Sequence, residues 1–223
     1  MVIIDLDEKG LHKWSQRKNT ISPLYTCLPT SLIQAYEIIM GTENCFSFLM
    51  NYLKGLPRIP DKFTWFMRNE PSALEIFKFN YPDLFKKWTE AKDKDIDLYS
   101  NTEINPNEVY KNVCICFNLF INYCKEPYSP YCYSSYNATI ESIKKLLKNK
   151  KPVLVSGTFD NIPGHIITIK GYTDEGFLIY DTYGCKYFEK FKTINKAKEL
   201  PFNEFNKVIK PLNCKTKNII TFL

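Results

Sequence analysis

Cys27 sits in Tyr25-Thr26-Cys27-Leu28-Pro29-Thr30-Ser31, directly ahead of Leu32-Ile33-Gln34-Ala35-Tyr36-Glu37-Ile38-Ile39-Met40. The segment reads as a loop that delivers a cysteine to the first turn of a buried helix. Apolar residues at 32, 33, 35, 36, 39 and 40 keep the helical period. Pro29 suits a first turn, where its missing N–H costs no hydrogen bond, and Gly41 supplies a stop. The partial positive charge at a helix N-terminus favours the thiolate, which is the nucleophilic form of cysteine. The same position also suits an inert core thiol, because free cysteine is commonly a small buried residue. Position alone leaves both readings open.

A thiol nucleophile needs a base, and the chain offers two histidines, His12 and His165. His165 lies in Pro163-Gly164-His165-Ile166-Ile167-Thr168-Ile169-Lys170-Gly171-Tyr172, and Asp181 follows Phe177-Leu178-Ile179-Tyr180. The two segments read as one antiparallel hairpin. An odd-numbered loop centred on Thr173 sets Ile169 opposite Phe177, Ile167 opposite Ile179 and His165 opposite Asp181. Directly opposed residues share a face with Cβ atoms about 5 Å apart, so this register carries the ring to the carboxylate. An even loop centred between Asp174 and Glu175 breaks that match and stays open as the alternative. An Asp at Nδ1 would fix the tautomer and leave the other ring nitrogen to the thiol. Gln16, upstream on the loop that feeds Cys27, is a candidate oxyanion donor, its amide N–H adding to the nucleophile's own backbone N–H. A histidine bonded within the sheet, a turn-starting Asp and a surface glutamine are the plainer readings of these three.

The elements that must position these groups divide the chain. Residues 1–14 open with a short strand-like piece, and 15–26 are a polar, Pro-containing loop. From Thr42 to about Asp97 the pattern is helical, with apolar spacing of three or four over Cys45 to Leu53, Ala73 to Phe79 and Leu84 to Ala91. Pro57, Pro60, Pro71 and Pro82 read as breaks, and Lys92-Asp93-Lys94-Asp95 as a charged joint. Glu108 to Tyr123 forms a further helix, followed by a Tyr-rich loop and an amphipathic helix over Ala138 to Lys148. Beyond Lys151 the period is that of a sheet: Val153 to Phe159, His165 to Lys170 and Phe177 to Tyr180, with Tyr187 to Phe191 as an edge strand and Lys217 to Leu223 closing the sheet. Helices first and strands later is the α+β pattern.

Composition bounds the function. The 223 residues are 44% hydrophobic and 15% aromatic, which is a globular chain with one sizeable core. A net charge of +6 is a mild, dispersed excess with its densest part at Lys144-Lys145 and Lys148 to Lys151. Such a cluster is a solvated helix face, and no basic arm or RNA-binding signature points to nucleic acid. No run approaches the roughly 18 apolar residues of a membrane span. The segment Met1 to Glu8 lacks a basic n-region and an apolar core, which predicts a cytoplasmic protein, with signal-independent release left open. Its eight cysteines are then expected reduced. Cys114, Cys116, Cys124 and Cys132 are clustered, but paired C-x-x-C spacing is missing; they read as core thiols, with a metal site as the alternative.

The order Gln16, Cys27, His165, Asp181 resembles that of the papain-like cysteine peptidases. More narrowly it is similar to the branch related to the bacteriocin leader (double-glycine) peptidases, including stand-alone bacterial and phage-encoded domains. The matching stretches are Ser15-Gln16-Arg17-Lys18-Asn19, Pro23, Thr26-Cys27-Leu28-Pro29-Thr30-Ser31, Ile143 to Leu147, Lys151-Pro152-Val153, Gly164-His165-Ile166-Ile167, Gly171-Tyr172 and Asp181-Thr182-Tyr183-Gly184. Two positions depart from the family pattern: Leu28 stands where Gly or Asn is usual, and Thr182 where Pro commonly follows the Asp. The resemblance implies a single papain-like α+β domain over 1–223. Its helical half, with 42–135 as a subdomain, presents the Cys at a helix N-terminus and packs on an antiparallel sheet over about 150–223. It further implies Cys27 as nucleophile, His165 as general base and acid, Asp181 as orienter and Gln16 as oxyanion donor, with no cofactor and a peptide or protein substrate. An acyl or peptidyl transferase or deamidase on the same triad, and a non-enzymatic peptide-binding module using Tyr128 to Tyr136, are the rival functions. Oligomeric state is not legible.

Overall fold

A computed structural model of the protein describes residues 1–3, 14–24, 26–40, 51–83, 85–86, 106–124, 130–160, 162–209 and 217–223. Helix α1 (Cys27–Met40) begins at the cysteine, and its side chains from Leu28 to Ile38 are all buried. Helix α2 (Ile59–Asn69) lies where the prolines suggest breaks. Pro60 instead occupies the first turn, where it costs no hydrogen bond, and Asp61 beside it complements the helix dipole. Pro71 opens helix α3 (Pro71–Asn80) in the same way, slightly ahead of the expected start at Ala73. Helix α4 (Pro106–Tyr123) matches the expected helix from Glu108. Helix α5 (Ile140–Lys148) is capped by Thr139 and Ser142, each side chain taking the other's backbone N–H. Most of the expected helices at 45–53 and 84–91, the stop at Gly41, the joint at 92–95 and His12 fall outside the described residues.

Among the described residues the strands are β1 (Val2–Ile3), β2 (Cys132–Ser135), β3 (Val153–Phe159), β4 (Ile162–Tyr172), β5 (Gly176–Tyr180), β6 (Thr193–Ile194), β7 (Ala197–Pro201) and β8 (Ile219–Phe222). They form one antiparallel sheet in the order β2-β8-β3-β4-β5-β7-β6, with β1 added against the end of β4. Two expectations need correction. Tyr187 to Phe191 is not an edge strand: Lys186–Phe188 is a 3-10 turn, and β6 and β7 supply the edge. Its aromatic rings cluster, Phe188 packing on Phe159 at 4.7 Å and Tyr187 meeting Phe191 edge to face at 5.6 Å, residues four apart that an extended strand would hold about 13 Å apart. The C-terminal strand does not close the sheet but runs inside it, between β3 and β2, with all four residues buried. Strand β2 itself lies in the Tyr-rich segment expected as loop. The short strand β7 and helix α6 (Phe202–Val208) carry no clear period in the sequence.

Helices cover both faces of the sheet, which is why β3 and β4 read as continuous apolar runs. Leu154 and Ile166 belong to the core shared with α1, α2, α3 and α4, where Tyr36, Phe63, Phe117 and Phe222 meet edge to face. Their neighbours Val153, Val155, Ile167 and Ile169 join Ile143, Leu147 and Phe205 of α5 and α6 in a second core. The Ser31 hydroxyl donates to the Ile166 carbonyl at 3.5 Å, tying α1 to β4 one residue from His165. No helix among the described residues is long and apolar enough to cross a membrane.

The β4–β5 hairpin departs from the expected register. The Thr173 N–H donates to the Gly176 carbonyl at 2.9 Å and Tyr172 faces Phe177, which is the even loop. That register alone would put positions 165 and 181 on opposite faces. A bulge at Lys170 inserts one residue into β4, so that Ile169 faces Ile179 and Thr168 faces Tyr180. Parity is restored, and His165 lies diagonal to Asp181 on the same face rather than directly opposite it. The bulged Lys170 is buried, with Nζ donating to the Asn195 carbonyl at 2.9 Å.

Candidate active site

The loop ahead of α1 is held from below by α2. Asp61 accepts the backbone N–H groups of Thr20 and Ile21 and the Thr20 hydroxyl, all at 3.0 Å. Buried Asn19 donates to the hydroxyls of Thr26 and Thr30 at 2.9 Å and accepts Arg58 Nε at 3.1 Å. Arg58 also donates to the Ser15 carbonyl at 3.0 Å. Residues 15 to 24 are thereby fixed onto the start of α1, although the sequence is polar and carries no regular period.

Gln16 opens a 3-10 turn (Gln16–Lys18) and is 1% exposed, so it is no surface glutamine. Its Nε2 donates to the Pro23 carbonyl at 3.1 Å, and its Oε1 accepts the Thr182 hydroxyl at 3.3 Å. Its backbone N–H donates to the Thr182 carbonyl at 3.0 Å. Arg17 lies 4.3 Å over the Tyr183 ring. The glutamine loop is thus clasped to the segment that carries Asp181.

His165 lies within β4, opposite Gly157, and follows Gly164, whose φ of +73° is readily accessible to glycine. The ring is 3% exposed, between the edges of Phe159 and Tyr183. His165 Nε2 lies 2.7 Å from Asp181 Oδ1. This inverts the expected arrangement, since Nδ1 rather than Nε2 is left for a thiol. Asp181 directly follows β5 and accepts two more N–H groups, from Tyr183 at 2.8 Å and from Cys185, the chain turning back through Gly184 at φ +78°.

Charge is stabilised across the pair. Burial disfavours the imidazolium, but side-chain hydrogen bonds to Asp181, Cys185 and Cys27, with the Cys27 charge, raise His165 to about 12. Burial would push the Asp181 carboxyl up; the His165 bond and charge and the Cys185 and Tyr183 N–H groups hold it below the usual range. A carboxylate and an imidazolium therefore face each other, and the structure brings Cys27, His165 and Asp181 together around one ring. Cys27 is half-buried at the first position of α1, whereas Leu28 is turned into the core.

Two residues of this neighbourhood carry little or no sequence signal. Cys185 is buried beside both His165 and Asp181, and burial pushes its thiol up. Its only signal is its position four residues after the Asp. The Tyr110 hydroxyl is hydrogen-bonded to Ser156 and lies near enough to Cys27 to feel its charge; burial raises its pKa. Tyr110 sits on the apolar period of α4, which a core residue would equally occupy.

His165, Asp181 and Cys185 offer donor atoms within 4.8 Å of one another, the one such group among the described residues. Two ligands of a tetrahedral zinc at about 2.0–2.1 Å stand roughly 3.3 Å apart. The 2.7 Å His–Asp separation is a hydrogen bond, shorter than that. Cys114 and Cys132 meet with sulfurs 3.5 Å apart, and with Cys116 and Cys124 they are buried in the helical core.

No curated protein and no solved structure matches the chain. Residues 11–210 match the model of the Peptidase_C39 like family, a span that holds Gln16, Cys27, His165 and Asp181. With most of its length matched and an α+β fold compatible with that family, the chain belongs to the Peptidase_C39 like family of cysteine peptidases.

Proposed function

We propose that the protein is a papain-like cysteine peptidase of the stand-alone type related to the bacteriocin leader peptidases, built as a single domain and working through Cys27, His165, Asp181 and Gln16. The observation that carries this reading is the shared imidazole: hydrogen-bonded to Asp181 on Nε2 and interacting with the Cys27 side chain. In the proposed reaction the Cys27 thiolate attacks the scissile carbonyl carbon. The carbonyl oxygen gains the electron pair and takes N–H bonds from Gln16 and from the Cys27 backbone. The imidazolium gives its proton to the leaving amine. Water, deprotonated by His165, then releases the acyl group and restores the thiol. Asp181 holds the ring through both proton transfers.

The experiment is incubation of the protein with a mixture of unfolded polypeptides in heavy-oxygen water, new C-termini being read by mass spectrometry. Labelled C-termini that vanish with Cys27→Ala are expected. Acceptor amines at the new termini would make the protein a transferase, and cleavage undiminished in Cys27→Ala would remove Cys27 from the chemistry.

A further inference from the structure

Gln16 can serve an oxyanion only if its amide nitrogen, not its oxygen, is presented to the site, and its immediate partners decide which. The Pro23 carbonyl, 3.1 Å away, can only accept, so it must face Nε2. The Thr182 hydroxyl, 3.3 Å from the other end of the amide, must then donate to Oε1. Nε2 carries two hydrogens; Pro23 takes one and the second remains for a ligand. Gln16 is 1% exposed and Thr182 4%, so water does not compete for either contact. The Thr182 carbonyl also accepts the Gln16 backbone N–H at 3.0 Å, and Thr182 is bonded directly to Asp181 in the chain.

We infer that Thr182 is a positioning residue that orients the Gln16 amide as an oxyanion donor and couples it to the turn that carries Asp181. The inference rests on the proposed cysteine-peptidase reading. It predicts that the Thr182 hydroxyl matters when an oxyanion forms on a carbon bound to Cys27, and not when Cys27 reacts without one.

N-acetylglycinal, the smallest peptide aldehyde, separates the two. The Cys27 sulfur forms a bond to the aldehyde carbon, the carbonyl π pair moves to oxygen, and that oxygen takes the N–H bonds and then the imidazolium proton, with nothing leaving. Iodoacetamide alkylates the same sulfur by displacing iodide, and no oxyanion forms on it. Aldehyde affinity is read from protection of Cys27 against iodoacetamide, by peptide mass spectrometry. Thr182→Val is expected to weaken the aldehyde on the order of tenfold, with the Cys27 alkylation rate unchanged. Thr182→Ser, which keeps the hydroxyl, is expected to restore it. In a Gln16→Ala background, Thr182→Val is expected to have no further effect. Wild-type aldehyde affinity in Thr182→Val, equal loss of alkylation, or a full additive loss without Gln16 would each overturn the inference. A native protein whose Cys27 neither binds the aldehyde nor outpaces the buried thiols in alkylation would overturn the peptidase reading itself.

Discussion

Replacing Asp181 with asparagine removes one charge with little change of shape, and the effect on each contact can be worked from the geometry. Oδ1 takes His165 Nε2 at 2.7 Å and the Tyr183 N–H at 2.8 Å, while Oδ2 takes the Cys185 N–H. Asparagine can keep the first two contacts through its carbonyl, but its NH2 then meets the Cys185 N–H donor to donor. The larger effect is on the ring. A hydrogen bond between charged partners contributes about 1.5–3 kcal/mol, and 1.36 kcal/mol is one pH unit, so the His165 midpoint is expected to fall by about 1 to 2 pH units. The measurement belongs in a Cys27→Ala background, which removes the side chain that also raises the ring. Ring-nitrogen NMR can follow it cleanly, because the chain holds only His12 and His165. Preserved amide signals from β4 and β5 would show that the hairpin survives. An unchanged or raised midpoint in the folded variant refutes the ion pair and leaves His165 as a neutral ring hydrogen-bonded in the sheet.

Two further outcomes test the frame around the pair. Asn19→Ala strips partners from Arg58 Nε and the hydroxyls of Thr26 and Thr30 in a buried site, and a loss of about 1–3 kcal/mol in urea unfolding is expected. A midpoint within error of the parent would show that the loop is held elsewhere. Folding stability should also carry the signature of His165, whose value is raised to about 12 in the folded chain. The stabilisation is complete below the unfolded value of about 6.5, declines as pH rises above it, and is gone beyond the folded value. Asp181 works at the other end: held below its ordinary value, it contributes above about pH 4 and fails as acid reaches its folded value. Urea midpoints that climb between neutral and alkaline pH would contradict the raised histidine.

The parts of this fold legible in the sequence are those written in local period and residue type. The apolar spacing from Leu32 to Met40, the capped helix at 140–148 and the apolar runs of β3, β4 and β5 depend on neighbours within a turn or a strand. The features that are not legible depend on contacts remote in sequence. A bulge at Lys170 is specified by the burial of its stem and by a carbonyl at Asn195, neither of which a reading of the hairpin alone can see. Proline reads as a breaker at 60 and 71, although at a first turn it starts a helix, and only the packing of Phe63 and Phe66 in one helix and Phe77 in the other tells the two apart. Tyr187 and Phe191 suit a strand by composition, and are drawn instead into the aromatic group around Phe159.

The turn from 181 to 185 carries more of the candidate site than its length suggests. Asp181 is held by N–H groups of its own turn, from Tyr183 and Cys185, so its orientation does not depend on His165. Thr182 takes hold of Gln16 from two sides, and the Tyr183 ring lies between Arg17 and the edge of His165. Cys185 returns a thiol to the imidazole. A displacement of this turn would therefore move the carboxylate and one wall of the ring pocket and strain the two contacts to Gln16, while Cys27 stays fixed to α1. The site then joins a thiol on a helix and a carboxylate on a turn at the His165 ring, with Gln16 tied to both sides. Substitutions within the turn should be mutually non-additive, as members of one hydrogen-bonded unit are, whereas substitutions in the turn and at Met40, at the far end of α1, should add. Double variants pairing Thr182→Val with Asp181→Asn, measured against each alone, give the coupling directly, and strict additivity inside the turn would show that its residues act separately.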